Sequence, residues 1–228
     1  MTQSPVAAAP LPSGQVQFGP LISKAWNLVR ADLALFILGY LIVVLIIMVS
    51  CITIVGPIII GGPLMFGYLR IVQKRYKGEP AEIGDVFQGF QTFGKAFVTM
   101  LLFCLIMAGM YLVCFVLGFI LGYIPVLGVI LGPLVSFAIS TLVGGLIFFA
   151  MPLAALSEAS PTEAISRSFK FCFANFPPMM LLSLVAGLIA MAGALACGIG
   201  MLLTVPLAIT ISVVAYNEYY LPNAQSAM

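Results

Sequence analysis

Long apolar segments without charge alternate along this chain with short segments that collect its charged residues. Residues 33–69, 96–157 and 177–217 contain no Lys, Arg, Asp or Glu. Each segment is long enough for two membrane spans of about 20 residues joined by a tight turn. The apolar runs are continuous rather than alternating, which excludes spanning β-strands. The pattern predicts an all-α integral membrane protein, a six-helix bundle.

Prolines and glycines divide each apolar segment into a pair of spans. The six predicted spans are 33–55, 57–73, 96–122, 126–151, 177–197 and 201–217. The turns within the three pairs are expected on the outer side of the membrane, at 56–62, 122–128 and 196–201. The second span is short and contains Arg70, whose long side chain is expected to reach the cytoplasmic interface.

A short amphipathic helix is predicted before each pair of spans, at 20–32, 80–94 and 161–176. Each begins near a proline, which suits the first helical position because its missing N–H is not needed there. In the third, Ser160 and Glu163 have the spacing of a capping box, and Glu82 is expected to hold the equivalent place in the second. The recurring plan predicts three parallel repeats of one unit, although Pro and Gly at such places are also typical of unrelated membrane hairpins.

The amphipathic helices are too short to span a bilayer and suit its headgroup boundary. At a period of 3.6 residues, the apolar face of the second comprises Ile83, Val86, Phe87, Phe90 and Phe93. That of the third comprises Ile165, Phe169, Cys172, Phe173 and Phe176. The residues expected to anchor the three helices at the interface are Trp26, Phe87, Phe90, Phe93, Phe169, Phe173 and Phe176.

The composition agrees with a membrane protein, since the chain is 63% hydrophobic and 7% charged, against about a quarter charged for a soluble domain. In the six-span arrangement all nine basic residues fall on one side. By the positive-inside rule that side is cytoplasmic, and both termini lie there. Residues 19–221 form a single transmembrane domain, flanked by a disordered cytoplasmic tail, 1–18, and a second cytoplasmic tail, 222–228. The net charge of +2 is too small to indicate nucleic-acid binding.

Candidate chemistry is sparse. The chain has no His, which removes the commonest general base and metal ligand. The five cysteines lack a paired spacing and are interpreted as packing residues. We therefore expect no catalytic residue, no metal site and no cofactor. Hydroxyls within the spans are expected to bond to carbonyls of their own helices; a pore lined by Ser136, Ser140 and Thr141 is the alternative.

Small residues and prolines recur at defined places in the spans. Gly118, Gly122, Gly128 and Gly132 form two GxxxG patterns around the middle turn. Such spacing lets helices pack closely, within this chain or between copies in a homo-oligomer. The second span of each pair contains one proline, Pro63, Pro133 or Pro206. These prolines are expected to kink their helices, opening a central cavity or bending the helices to fit.

Two segments carry a family resemblance. One is 62–68, Gly-Pro-Leu-Met-Phe-Gly-Tyr; the other is Lys-Gly-Glu-Pro at 77–80 followed by Asp-Val-Phe-Gln-Gly-Phe at 85–90. With Pro206-Leu207 and Ala215-Tyr216, they resemble uncharacterised bacterial multi-pass membrane proteins related to the membrane domain of some glycerophosphoryl diester phosphodiesterases. The resemblance implies a bacterial inner-membrane protein. The phosphodiesterase domain itself is absent, so no catalytic residue is carried over.

The expected function is that of a non-enzymatic scaffold or accessory subunit, which presents amphipathic helices at the cytoplasmic leaflet. Its expected partners are the lipid bilayer, a membrane or cytoplasmic protein, and a second copy of the chain. The alternative is a transporter or channel for a small or lipid-like solute. Charged residues at span centres would favour a proton-coupled transporter, and this chain has none there.

Overall fold

The computed structural model describes residues 16–53, 55–123, 125–195 and 200–226, with side-chain surroundings for all of these except 125–130, 195 and 225–226. Every element in these ranges is helical, which confirms the all-α prediction. Residues 1–15 of the predicted N-terminal tail, parts of the second and third outer turns, and residues 227–228 lie outside the described ranges.

The helices follow one another with short connections. In chain order they are α1 (Phe18–Ala31), α2 (Leu33–Ser50), α3 (Gly56–Tyr76), a 3-10 helix (Ile83–Thr92), α4 (Phe93–Gly122), α5 (Pro125–Leu146), α6 (Ala150–Leu156), α7 (Pro161–Ala174), α8 (Phe176–Leu195), α9 (Met201–Ala215), a π-helical turn (Tyr216–Tyr220) and α10 (Leu221–Ser226).

Five helical segments in the described part of the chain are long and apolar enough to cross a bilayer. They are Leu33–Ser50, Ile83–Gly122, Leu131–Leu156, Phe176–Ala194 and Met201–Ala224. Their length follows from long runs of apolar residues, in which the only charged residues are Asp85, Lys95 and Glu218. They indicate a multi-pass membrane protein, as the hydropathy pattern predicts.

Helix α3 occupies the second of the six predicted spans, 57–73, but is not among these five segments. It contains four glycines, two prolines and Arg70, which lower its hydropathy. It is nevertheless the central helix of the bundle: α2, the 3-10 helix, α4, α6 and α9 all pack against it. A helix enclosed by protein contacts little lipid, so it does not need the apolar surface of an outer helix. Its side chains Phe66 and Tyr68 are fully buried, and the Tyr68 hydroxyl donates to the Phe36 carbonyl at 3.2 Å.

The first outer turn lies earlier than expected. Residues 51–55 connect α2 to α3, whereas the predicted turn, 56–62, forms the start of α3. Gly61 and Gly62 are buried there. The reason is that Pro57 stands in the first turn of a helix, a position that proline favours, rather than in the turn itself.

Both predicted tails are shorter in the structure. Val16 packs against the core, the Gln17 N–H donates to the Tyr219 hydroxyl at 3.1 Å, and α1 begins at Phe18. At the other end, residues 221–226 form α10. The apolar side chains Val16 and Phe18 bury surface against the bundle, which offsets the entropy lost on ordering them.

Candidate functional site

Ion pairs join the elements at one end of the bundle. Lys24 of α1 pairs with Glu218 of the π-helical turn at 2.6 Å, and Lys74 of α3 pairs with Asp85 of the 3-10 helix at 2.9 Å. Two further pairs are Arg75–Asp32, between α3 and the residue preceding α2, and Arg167–Glu163 within α7 at 2.5 Å. We call this charged end of the bundle the polar rim.

Neutral side chains strengthen the polar rim. The amides of Gln73 and Asn217 exchange two hydrogen bonds, at 2.9 and 2.7 Å, and so tie α3 to the π-helical turn. Lys24 also donates to the Tyr76 hydroxyl at 3.3 Å. The hydrogen bond to Glu218 is the main reason why the pKa of Lys24 is raised. The amide pair was not predicted, because these residues are 144 positions apart and only the tertiary fold brings them together.

The 3-10 helix departs from the prediction for 80–94. Residues 80–82 are not helical, Glu82 is the N-cap, and Asp85 rather than Glu82 holds the third position of the capping box. With three residues per turn, positions three apart eclipse one another. Val86 and Gly89 therefore share a buried face, whereas Phe87, Phe90 and Phe93 form a separate, exposed face. The prediction of a single apolar face with a period of 3.6 residues is therefore wrong for this segment.

Glycines bring the backbone of the 3-10 helix onto α3. A Cβ atom at Gly67 would overlap the Val86 carbonyl oxygen, and one at Gly89 would overlap the Pro63 carbonyl oxygen. Gly62 makes a similar approach to the Ala96 carbonyl of α4. The two segments that carry the family resemblance, 62–68 and 85–90, thus form one backbone contact.

Four phenylalanine rings stack in a line along the outside of this segment. The ring centroids of Phe87 and Phe90 are 6.5 Å apart, those of Phe90 and Phe93 are 6.5 Å apart, and those of Phe93 and Phe97 are 6.0 Å apart. The three-residue spacing places the first three rings above one another because the helix is 3-10. Phe87 is 50% exposed and its neighbours Phe90 and Phe93 are also exposed. We call these four rings the aromatic ladder.

Helix α7 has the predicted capping box, in which the Ser160 hydroxyl accepts from the Glu163 N–H at 3.3 Å. Its exposed rings, Phe169 and Phe173, stack at 5.9 Å, and Phe176 beyond them is also exposed. Cys172 does not share their face. It is fully buried, and burial raises the pKa of its thiol to about 12.

The buried face of α7 was only partly foreseen. It consists of Ala164, Ser168, Phe171 and Cys172. The rings of Phe171, Phe149, Tyr216 and Tyr220 form one buried cluster behind it. Tyr216 and Tyr220 therefore belong to the buried core. The 3.6-residue pattern left Phe171 off the predicted apolar face, yet it is the buried phenylalanine of this helix.

Ser168 explains why the predicted span 126–151 is interrupted. Helix α5 ends at Leu146 and α6 begins at Ala150. The Ser168 hydroxyl donates to the Leu146 carbonyl at 3.1 Å and accepts from the Phe149 N–H at 3.2 Å. It thus satisfies two backbone groups that the break would otherwise leave without partners.

Trp26 of α1 is exposed, as are all six phenylalanines expected to act as interfacial anchors. The buried face of α1 is formed by Leu21, Ala25 and Val29. The outward position of these rings is compatible with contact to lipid or to a partner. Their role as membrane anchors stays a prediction.

Three of the four glycines predicted to pack closely make no close contact within this chain. Packing between copies of the chain stays a prediction. Gly118, Gly122 and Gly132 meet no atom within 4 Å of a Cβ position, and the surroundings of Gly128 lie outside the described part. The GxxxG spacing gives these helices a smooth surface, but within this chain no described helix covers it. Close helix contact occurs instead at glycines such as Gly145, beside Met180, and Gly193, beside Thr204.

The three prolines expected to kink helices lie inside α3, α5 and α9. Pro63 and Pro206 are buried, whereas Pro133 is exposed. The Pro206 carbonyl accepts a hydrogen bond from the Thr210 hydroxyl at 2.8 Å. Whether the prolines bend their helices stays a prediction.

Two apolar crevices share part of their lining on α5 and α9. One, of about 440 Å³, is formed by α5, α8 and α9. The other, of about 370 Å³, is formed mainly by α3, α4, α5 and α6. Ser140 and Ser212 line both.

Three hydroxyls that line these crevices, those of Ser140, Ser183 and Ser212, already donate within their own helices. Six hydroxyls of the spans donate to a carbonyl three or four residues earlier: Ser50, Thr99, Ser140, Ser183, Thr210 and Ser212. Thr204 is an exception, because it donates to the Ala190 carbonyl of the neighbouring helix at 3.2 Å. The Ser140 donor is satisfied within α5. The alternative of a pore lined by Ser136, Ser140 and Thr141 stays a prediction.

No group of His, Cys, Asp and Glu that could hold a metal ion occurs among the described residues. Cys51, Cys104, Cys114 and Cys172 are free thiols, and Cys197 lies outside the described part. No protein-family model, curated protein or solved structure matches this chain.

Proposed function

We propose that this chain is a non-enzymatic scaffold or accessory subunit of the bacterial inner membrane, with both termini in the cytoplasm. It presents α1, the 3-10 helix and α7 at the cytoplasmic leaflet. The bacterial location rests on the family resemblance, and the orientation rests on the positive-inside rule. The order of amphipathic segment, long helix and long helix occurs three times, which supports the proposed repeat of one unit.

The aromatic ladder is the observation that carries this proposal. One face of the 3-10 helix is fixed to α3 by glycine contacts and by the Lys74–Asp85 ion pair. The opposite face carries a row of partly exposed rings, with Phe87 50%, Phe90 38% and Phe93 41% exposed. A rigid row of exposed aromatic rings is typical of a contact surface, because such rings bury a large area at a small cost in side-chain entropy.

The experiment replaces Phe87, Phe90 and Phe93 with Ser and measures the size of the native assembly in gently solubilised membranes. The control triple variant is Gly84→Ser, Gln91→Ser and Gly94→Ser, at exposed positions of the same segment. We expect the phenylalanine variant to leave the assembly while its melting temperature in detergent stays close to that of the wild type.

The two contradicting outcomes are distinct. A phenylalanine variant that stays in the assembly as the control does would remove the basis of the scaffold proposal. A phenylalanine variant that melts at a clearly lower temperature would show that the aromatic ladder stabilises the fold instead of contacting a partner.

The crevice between α5, α8 and α9 favours a second function, passage of a lipid-like solute. Its lining is almost entirely apolar, and its Ser140, Ser183 and Ser212 hydroxyls are satisfied. It would therefore accept acyl chains more readily than ions or sugars. Lipid scrambling by proteoliposomes tests this: a rate equal to that of empty vesicles would exclude it.

A further inference from the structure

Two basic side chains of the polar rim stand apart from the other seven. Four basic residues form ion pairs: Lys24, Lys74, Arg75 and Arg167. Three are exposed: Arg30, Lys77 and Lys170. Arg70 and Lys95 are half-buried, and neither forms an ion pair with any carboxylate of the described chain.

Both side chains bond only to neutral oxygens. Arg70 donates to the Gln88 carbonyl at 2.8 Å and to the Thr92 hydroxyl at 3.0 Å. Lys95 donates to the Ser157 carbonyl at 2.6 Å. The Arg70 guanidinium bonds to Thr92, three residues before Lys95, so the two cations lie near each other. Glu158, which follows the Ser157 that binds Lys95, is exposed. Partly desolvated like charges that lie close together favour an anion between them.

The 370 Å³ crevice is formed in part by the two helices that carry this pair, α3 and α4. On α4, Lys95, Thr99 and Phe103 follow at four-residue spacing and so share one face, and Phe103 lines the crevice. On α3, Leu69 lines it beside Arg70. On α6, Met151 and Pro152 line it a short distance before Ser157, the partner of Lys95.

The crevice itself suits a hydrocarbon chain. Its walls include four methionines, Met65, Met107, Met110 and Met151, whose flexible thioethers adapt to irregular apolar shapes. Its two serines, Ser140 and Ser212, donate to their own helices. Tyr111, which is 67% exposed, lies at its outer edge, so the crevice opens toward the surroundings of the bundle.

We propose that Arg70 and Lys95 bind the phosphate of an anionic phospholipid, one acyl chain of which lies in the crevice between α3, α4, α5 and α6. The occupant must carry both a negative charge and an apolar chain, because the same two helices, α3 and α4, carry the cation pair and line the crevice. Basic pockets between spanning helices near one leaflet are a recurring form of lipid headgroup site. This site requires neither the scaffold role nor transport.

Native mass spectrometry of the whole protein, released from detergent with defined lipid, tests the proposal. The wild type should retain one phosphatidylglycerol in clear preference to phosphatidylcholine. Arg70→Gln with Lys95→Gln should weaken that retention by about tenfold or more. The reason is that each basic group contributes to the affinity for an anionic lipid, and the variant lacks two of them. The matched control, Lys77→Gln with Lys170→Gln, removes two exposed charges and should retain the lipid as the wild type does.

The conservative exchange of Arg70→Lys with Lys95→Arg keeps both charges and should preserve most of the preference. Equal retention of the two lipids by the wild type overturns the proposal, and this measurement needs no variant to fold. Equal loss of lipid from the control variant would show that general surface charge retains the lipid, and it would overturn the proposed site. A rise in melting temperature with inorganic phosphate as large as that with phosphatidylglycerol would show a simple anion site and overturn the lipid assignment.

Discussion

Single polar residues decide where helices of this protein stop. Ser168, on α7, bonds to both sides of the break between α5 and α6 and is fully buried. Hydroxyls that point along their own helix, such as Ser212, have a local partner and leave that helix unbroken. The same side-chain chemistry therefore has opposite consequences, depending on which carbonyl lies within reach.

Ser168→Ala should destabilise the protein by about 1–3 kcal/mol, because it leaves the buried Phe149 N–H without an acceptor. Ser166→Ala, at an exposed position on the same helix, should have little effect. Thermal unfolding in detergent, followed by circular dichroism, measures both. Equal melting temperatures for the two variants would contradict the role assigned to Ser168.

At the scale of the element, the 3-10 helix is the most informative. Its three-residue turn sorts the sequence into a glycine face on α3, an aromatic face outside, and a polar face with Asp85 and Gln88, which bond to each other. An α-helix would mix these faces. The short segment thus serves as a spacer that holds the aromatic ladder at a fixed place beside the polar rim.

Gly67→Ala or Gly89→Ala should separate the 3-10 helix from α3 and cost about 1–3 kcal/mol, since the added methyl group meets backbone that cannot move aside. Gly94→Ala and Gly109→Ala are matched controls on α4 that meet no atom within 4 Å. These should be neutral or slightly stabilising, because Ala favours a helix more than Gly. Denaturation in a urea series compares the four, and destabilisation of all four alike would refute the contact.

At the scale of the whole molecule, charge is segregated. The ion pairs join α1, α3, the 3-10 helix and the π-helical turn at one end, whereas the outer turn 51–55 contains no charge. Charged groups avoid the apolar interior of a bilayer, and their long side chains reach the interface. The bundle therefore presents one polar and one apolar end.

The orientation proposed for the bundle can be tested with single cysteines. In a variant with the other four cysteines removed, the exposed Cys51 should react with an impermeant thiol reagent added to intact spheroplasts. Lys77→Cys, exposed at the polar rim in a background without native cysteines, should react only after the membrane is opened. The reverse pattern would place the polar rim outside and overturn the cytoplasmic assignment.

The sequence by itself determined the helical class, the long apolar helices and the grouping of charges. These properties depend on local composition, because a run of apolar residues must satisfy its backbone within one helix in a membrane. The capping box at Ser160 could likewise be predicted from the sequence, since its two partners are three residues apart. The exposure of Trp26 and of the phenylalanines at 87, 90 and 93 also followed from local pattern.

Only the tertiary structure decided which apolar face is buried and which glycines are in contact. Phe171 is buried and Phe173 is exposed, although both are phenylalanines of one helix. Gly118 is open and Gly67 is closely packed, although both lie in regions rich in small residues. The unpaired state of Arg70 and Lys95 likewise depends on contacts between distant segments. Such contacts are made by neighbours far apart in the chain, and a local pattern of residues carries no information about which neighbours those will be.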